Sequence, residues 1–124
     1  MQIASSKATA VGSLVLAFAA IGVLSLVPGE MRPHTGLPGQ AEHFFAYGLA
    51  SATLCGLSRT WPTRGIVAGA LCLYAGVLET LQIWIPGRHA QFIDFTASAS
   101  GAICGFLFVA LIILCWRGGQ SQSP

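Results

Sequence analysis

Charge is what this sequence lacks. Its 124 residues include six Lys or Arg and four Asp or Glu, 8% of the chain, where a soluble globular domain carries about 25%. Together with 54% hydrophobic residues and a mean hydropathy of +0.71, that shortage excludes an ordinary soluble domain and implies an integral membrane protein. The net charge of +2 comes from too few groups to build the clustered basic face that nucleic-acid binding needs, so nucleic acid is excluded as a partner. The four cysteines, Cys55, Cys72, Cys104 and Cys115, include no C-x-x-C pair and all fall inside apolar runs. They read as small buried hydrophobes, not as a disulfide frame or zinc site. A Gly-rich phosphate loop, a serine nucleophile elbow and a Cys–His pair are also missing, and no cofactor is expected.

What is present is length without charge. Ala8 to Val27 is a twenty-residue uncharged run, about 30 Å as a helix and enough to cross a bilayer core. A lysine ahead of an apolar run also suits a secretory signal, but signal cores are shorter and three further spans follow, so a retained anchor is expected. Pro28 to Gln40, with three prolines, three glycines, Glu30, Arg32 and His34, reads as a loop. The pattern predicts helices over about 8–27, 41–57, 65–85 and 92–116. Arg59 to Arg64 reads as a tight basic turn with an interfacial Trp61, Pro86 to Gln91 as a second turn, and Arg117 to Pro124 as a frayed tail. The expected fold is a single all-α domain over 1–124, an integral membrane bundle of four transmembrane helices.

Four spans place Lys7, Arg59, Arg64 and Arg117 on one side and only Arg32 and Arg88 on the other, which predicts both termini in the cytoplasm. All four acids and all three histidines then belong to the outer half. His34 and His89, in loops, are expected to be solvated. Two glycine strips, Gly65-x-x-x-Gly69 and Gly101-x-x-x-Gly105, present flat faces for helix packing or for a homo-oligomer.

The polar residues concentrate between Glu79 and Asp94. Glu79 and Gln82, three apart, share a helix face, with Glu79 roughly 10 Å below the interface marked by Pro86. Asp94, Ser98, Gly101 and Gly105 form one stripe on the fourth helix, and His43 and Tyr47 lie one turn apart on the second. A charged, unpaired acid at the depth of Glu79 costs about 2.5–3.5 kcal/mol on insertion scales, so it must be neutral, paired or hydrated. Arg88 and His43 are candidate partners, with Gln82 and Tyr47 as neutral donors. Two readings follow. In one, Glu79, Arg88 and Asp94 clasp the third and fourth helices together. In the other, His43, Tyr47, Glu79, Gln82, Arg88, Asp94 and Ser98 bind the head group of an amphiphile. Arg88 then takes an anionic phosphate or carboxylate in its fork, and Glu79, His43 and Asp94 are candidates for proton transfer. A metal site from His43, Glu79 and Asp94 is chemically allowed, but no local ligand spacing supports it.

Taken together, His43-x-x-x-Tyr47, Glu79-x-x-Gln82, Pro86-Gly87-Arg88, and Asp94 followed by Gly101 and Gly105 resemble the VanZ-like family of small membrane proteins, over roughly Glu42 to Gly105. Where that family carries Asn in its Asp-x-x-x-Asn-x-x-Gly pattern, this chain has Ser98, which keeps a hydroxyl but loses an amide. The resemblance implies a multi-pass bacterial inner-membrane protein of four helices. The family's namesake is associated with resistance to the glycopeptide teicoplanin. By that resemblance the site is His43, Tyr47, Glu79, Gln82, Arg88 and Asp94. The function expected from these residues is binding of a membrane lipid or lipid-linked cell-envelope precursor, with consequences for glycopeptide susceptibility. The alternatives are an enzyme using Glu79 or His43 as acid or base on a lipid head group, and a structural partner in a larger complex. Four short helices without an internal repeat leave little room for alternating access.

Overall fold

A computed structural model describes residues 2–31 and 36–120 of the chain, with side chains from Ala8 onward apart from positions 29 and 120. Arg32 and His34, the Lys7 side chain and the last four residues therefore lie outside the described residues. The described chain is all-helical: α1 Gln2–Leu26, α2 Gly39–Leu57, α3 Trp61–Leu81 and α4 Phe92–Gln120, with 3₁₀ turns at Gly29–Met31 and Gln82–Trp84. Segments of α1, α3 and α4 are long and apolar enough to cross a membrane.

Local chemistry accounts for the boundaries. α2 starts after Pro38 and has Glu42 in its first turn, where a carboxylate favours the positive end of the helix dipole. Its end is closed by Ser58, whose Oγ donates to the Leu54 carbonyl at 2.8 Å. The segment from Arg59 to Arg64, expected as a turn, is mostly the first turn of α3. Thr60 is the N-cap, its hydroxyl accepting the Thr63 N–H at 3.3 Å, and Pro62 sits in the first turn, where its missing N–H costs nothing. At the other end α3 tightens into the 3₁₀ turn, and Ile85 becomes extended ahead of Pro86, as a residue before proline must. Pro86 and Gly87 then make a hydrogen-bonded turn: Arg88 N–H donates to the Ile85 carbonyl at 3.1 Å, and Gly87 has φ 72°. Proline second and a positive-φ glycine third are what a type II turn demands. α4 does not stop at Trp116; it continues through Arg117 and two glycines to Gln120.

The helices alternate in direction. Tyr74 meets Phe18 and Gln82 meets Ser25, so α1 and α3 run parallel; Phe44 and Gly48 lie against Gly101 and Gly105, so α2 and α4 run parallel and opposite to them. The tightest contact is between α2 and α4. A Cβ added to Gly101 would overlap the Phe44 carbonyl oxygen, and one added to Gly105 would overlap that of Gly48. This proximity lets Ser51 Oγ donate to the Ala102 carbonyl across the interface at 2.6 Å. The Gly101/Gly105 strip is thus used inside the chain and is closed to a second copy, whereas Gly65 and Gly69 face open space. Tyr47, Leu54, Leu71, Ala75, Leu78 and Ala102 form the centre of the core, with Ile21 of α1 against them.

Candidate functional site

The alternation of helix direction brings the end of α1, the start of α2, the end of α3 and the start of α4 to one end of the bundle. All seven residues expected at the site belong to that end, but their partners differ from those expected.

Arg88, placed by the Pro86–Gly87 turn, reaches back to α1. Its Nε donates to the Val27 carbonyl at 3.0 Å and its Nη2 to Leu24 at 2.8 Å. Gln82 Nε2 donates to Ser25 at 3.1 Å. The last carbonyls of a helix have no partner within it, and these two side chains cap three of them while Arg88 also brings positive charge to the negative end of the dipole. Arg64 repeats the device at the opposite end: it is buried, and its Nε donates to the Cys55 carbonyl in the last turn of α2 at 3.1 Å. Trp61 lies under its guanidinium, 5.0 Å from ring centroid to Cζ.

Glu79 is buried near the end of α3. Its Oε1 accepts the backbone N–H of Gln91, 2.5 Å away in the segment that leads into α4. Tyr47 is almost fully buried in the core. Asp94, in the first turn of α4, faces α2: its Oδ2 is 3.9 Å from His43 Nε2, and both side chains are largely buried, 14% and 11% exposed. Asp94 Oδ1 is buried and, among the described residues, has no hydrogen-bond partner. Ser98 is buried one turn further along the same stripe. A clasp joining α3 to α4 was one expectation for Glu79, Arg88 and Asp94. The structure instead divides them among three neighbours: the backbone before α4, the end of α1 and the start of α2. Among the described residues no three His, Cys, Asp or Glu side chains converge as a metal ion would require.

Beside this polar end lies a feature absent from the sequence reading. An apolar groove of about 700 Å³ runs between α3 and α4, lined by Cys72, Gly76, Val77, Thr80, Trp84 and Phe95 among others. The Phe95 ring forms its α4 wall, and a Cβ on Gly76 would touch that ring at 3.5 Å. The sequence does carry a trace of it. Cys72, Gly76 and Thr80 put small side chains at every fourth position, which recesses one line of α3.

Comparison with family models, with curated proteins and with solved structures finds no match. The chemistry of the site therefore rests on its own residues. They offer a buried carboxylate, Glu79, a largely buried one, Asp94, with an oxygen unsatisfied among the described residues, a histidine beside it, and an apolar recess nearby.

Proposed function

We propose that this chain is a four-span VanZ-like protein of the bacterial inner membrane that binds one amphiphile, a membrane lipid or a lipid-linked envelope precursor. The head group sits at the His43, Glu79 and Asp94 end and the chain lies along the α3–α4 groove. The observation that carries this reading is the closeness of the two features along the chain: the groove is lined by Thr80, Trp84 and Phe95, each within two residues of Glu79, Gln82 or Asp94, although these polar side chains do not line it. From Cys72 to Trp84 the groove follows α3 for about 18 Å, close to one leaflet of a hydrocarbon core about 30 Å thick.

Connectivity supports the fourth span. α1 and α3 are tied at the same end by Gln82 and Arg88, so α2 must return from the end of α1 to the start of α3. Its nineteen residues rise about 28 Å, enough to do so across the core. The outward surface agrees, since Leu16, Leu49, Ile66, Leu73 and Phe108 are all exposed and suit lipid better than water. Four spans return the C-terminus to the side of the N-terminus, and Arg59, Arg64 and Arg117 at that end make it the cytoplasmic one. Sequestering or shielding an envelope lipid is the route by which such a protein would alter glycopeptide susceptibility.

A second reading, acid–base chemistry on the same head group, is favoured by Asp94 Oδ1 lacking a partner among the described residues while Oδ2 faces His43. Native mass spectrometry of gently extracted protein tests both. A retained amphiphile that is lost when Gly76→Leu fills the groove is the expected result. A modified head group would favour the enzyme, and wild-type protein that carries no amphiphile would overturn the proposal.

A further inference from the structure

We infer that Arg64, at the end of the bundle opposite the His43, Glu79 and Asp94 site, binds the phosphate of an anionic lipid in the leaflet that meets that end. This does not rest on the amphiphile reading above; it needs only that the helices span a membrane.

Acidic side chains are confined to one end of the bundle. The sequence has four, Glu30, Glu42, Glu79 and Asp94; in turn they follow α1, open α2, close α3 and open α4. The other end, where α2 and α4 finish and α3 starts, carries Arg59, Arg64 and Arg117 and no Asp or Glu. Along α3 the first acid after Arg64 is Glu79, about 22 Å further on.

Arg64 is nevertheless buried, 7% exposed, one turn inside a span that opens at Trp61. A guanidinium withdrawn from water there is costly unless an anion balances it. Its two neighbours are uncharged: Nε donates to the Cys55 carbonyl at 3.1 Å, and the Trp61 ring lies against it. Among the described residues the Nη groups have no acceptor, yet the one buried side-chain nitrogen or oxygen without a partner is Asp94 Oδ1. The Nη edge of Arg64 therefore reaches the surface with its donors open. The start of α3 does not supply the site by itself, since Pro62 has no N–H, Thr63 donates to Thr60 Oγ1 and Arg64 to the Thr60 carbonyl. The guanidinium is what remains to meet an anion.

Chemistry then selects the class of ligand. A planar fork with open donors suits an oxyanion, and the ligand must bring net negative charge because no acid at this end balances Arg64. Trp61 sets the level at the head groups of the bilayer. The phosphodiester of an anionic lipid meets all three conditions, whereas a zwitterionic lipid carries its own cation.

Two tryptophans at this end supply the test. Trp61 lies against the Arg64 guanidinium and reports its occupant; Trp116, exposed beside the exposed Arg117, reports anionic lipid gathered by an ordinary surface charge. Two proteins, each keeping one of these tryptophans with the other and Trp84 replaced by Phe, are reconstituted into vesicles of equal parts phosphatidylcholine and phosphatidylglycerol. Bromine is placed on the upper acyl chains of each lipid in turn, at identical composition. We expect quenching to show phosphatidylglycerol preferred about fivefold at Trp61 and no more than about twofold at Trp116. Arg64→Gln should erase the preference at Trp61, while Arg59→Gln, which removes an exposed charge, should keep it. Equal preference at the two tryptophans would overturn the inference, leaving only diffuse attraction. Loss of the preference in Arg59→Gln, or its survival in Arg64→Gln, would take the site away from Arg64. Inorganic phosphate, at an ionic strength matched with chloride, should leave the preference in place; its loss would make the ligand a soluble phosphate and overturn the lipid assignment. The comparison of Trp61 with Trp116, together with Arg59→Gln, decides the matter even where Arg64→Gln fails to fold.

Discussion

Arg88 Nε lies 3.0 Å from the carbonyl oxygen of Val27, sixty-one residues earlier in the chain, and donates a hydrogen bond to it. That contact turns a residue with the look of a ligand-binding arginine into the cap of another helix. Its fork geometry is used, but on two carbonyls of α1.

Replacing Arg88 should therefore act on stability first. Arg88→Ala leaves the Leu24 and Val27 carbonyls short of a donor, at a cost of about 1–3 kcal/mol. Arg88→Lys should recover only part of it, because an ammonium cannot serve both oxygens with a planar fork. Thermal unfolding in detergent, followed by circular dichroism, reads this directly. An unchanged melting temperature for Arg88→Ala would mean that the caps contribute nothing.

The two glycine strips should respond in opposite ways. Gly101→Leu or Gly105→Leu drives a side chain into the α2 backbone, and overpacking of that kind typically costs about 1–3 kcal/mol, more where backbone cannot yield. Gly65→Leu and Gly69→Leu meet open space and should leave the monomer's stability within about 0.5 kcal/mol. Loss of a dimer in the Gly65 and Gly69 variants alone, by crosslinking in vesicles, would assign that strip to self-association.

At Glu79 the isosteric and the apolar variant should separate. Glu79→Gln still accepts from the Gln91 N–H and should melt close to wild type. Glu79→Leu strands that N–H and should lose about 1–3 kcal/mol. Similar losses in both variants would point to a charge requirement in the folded state that the Gln91 contact does not explain.

For His43 and Asp94, a double-mutant cycle is decisive. At 3.9 Å the pair is at the limit of contact, so the coupling between His43→Gln and Asp94→Asn should stay below about 1 kcal/mol. Asp94→Asn by itself should not destabilise, because it removes a charge whose Oδ1 is buried without a partner among the described residues. A coupling of several kcal/mol would show a desolvated ion pair closer than the structure places it.

Much of the architecture is readable in local chemistry. Uncharged runs of span length, the Pro-Gly pair before Arg88, and acids confined to a few helix ends are properties of short stretches, and they foretell the helices and the polar cluster. The start of α3 is also readable four residues ahead of the expected Gly65: Thr60 followed by Pro62 is a cap signal. Likewise the small residues Cys72, Gly76 and Thr80 hinted at a recess that no one-dimensional argument could size.

The partners of the polar side chains were beyond such reading. α1, α2 and α4 carry apolar residues around most of their circumference, so periodicity does not say which face turns inward. Gly101 and Gly105 could equally have met a second copy until packing set them against Phe44 and Gly48. Glu79 to Gln91, Gln82 to Ser25 and Arg88 to Val27 each depend on how helices are rotated and staggered, and the last two pairs are 57 and 61 residues apart. Hydrogen bonds act over about 3 Å, so a rotation of one helix by a fraction of a turn would redistribute them all. Composition and spacing place the polar groups at one end of the molecule; the packing of four helices decides which partner each of them takes.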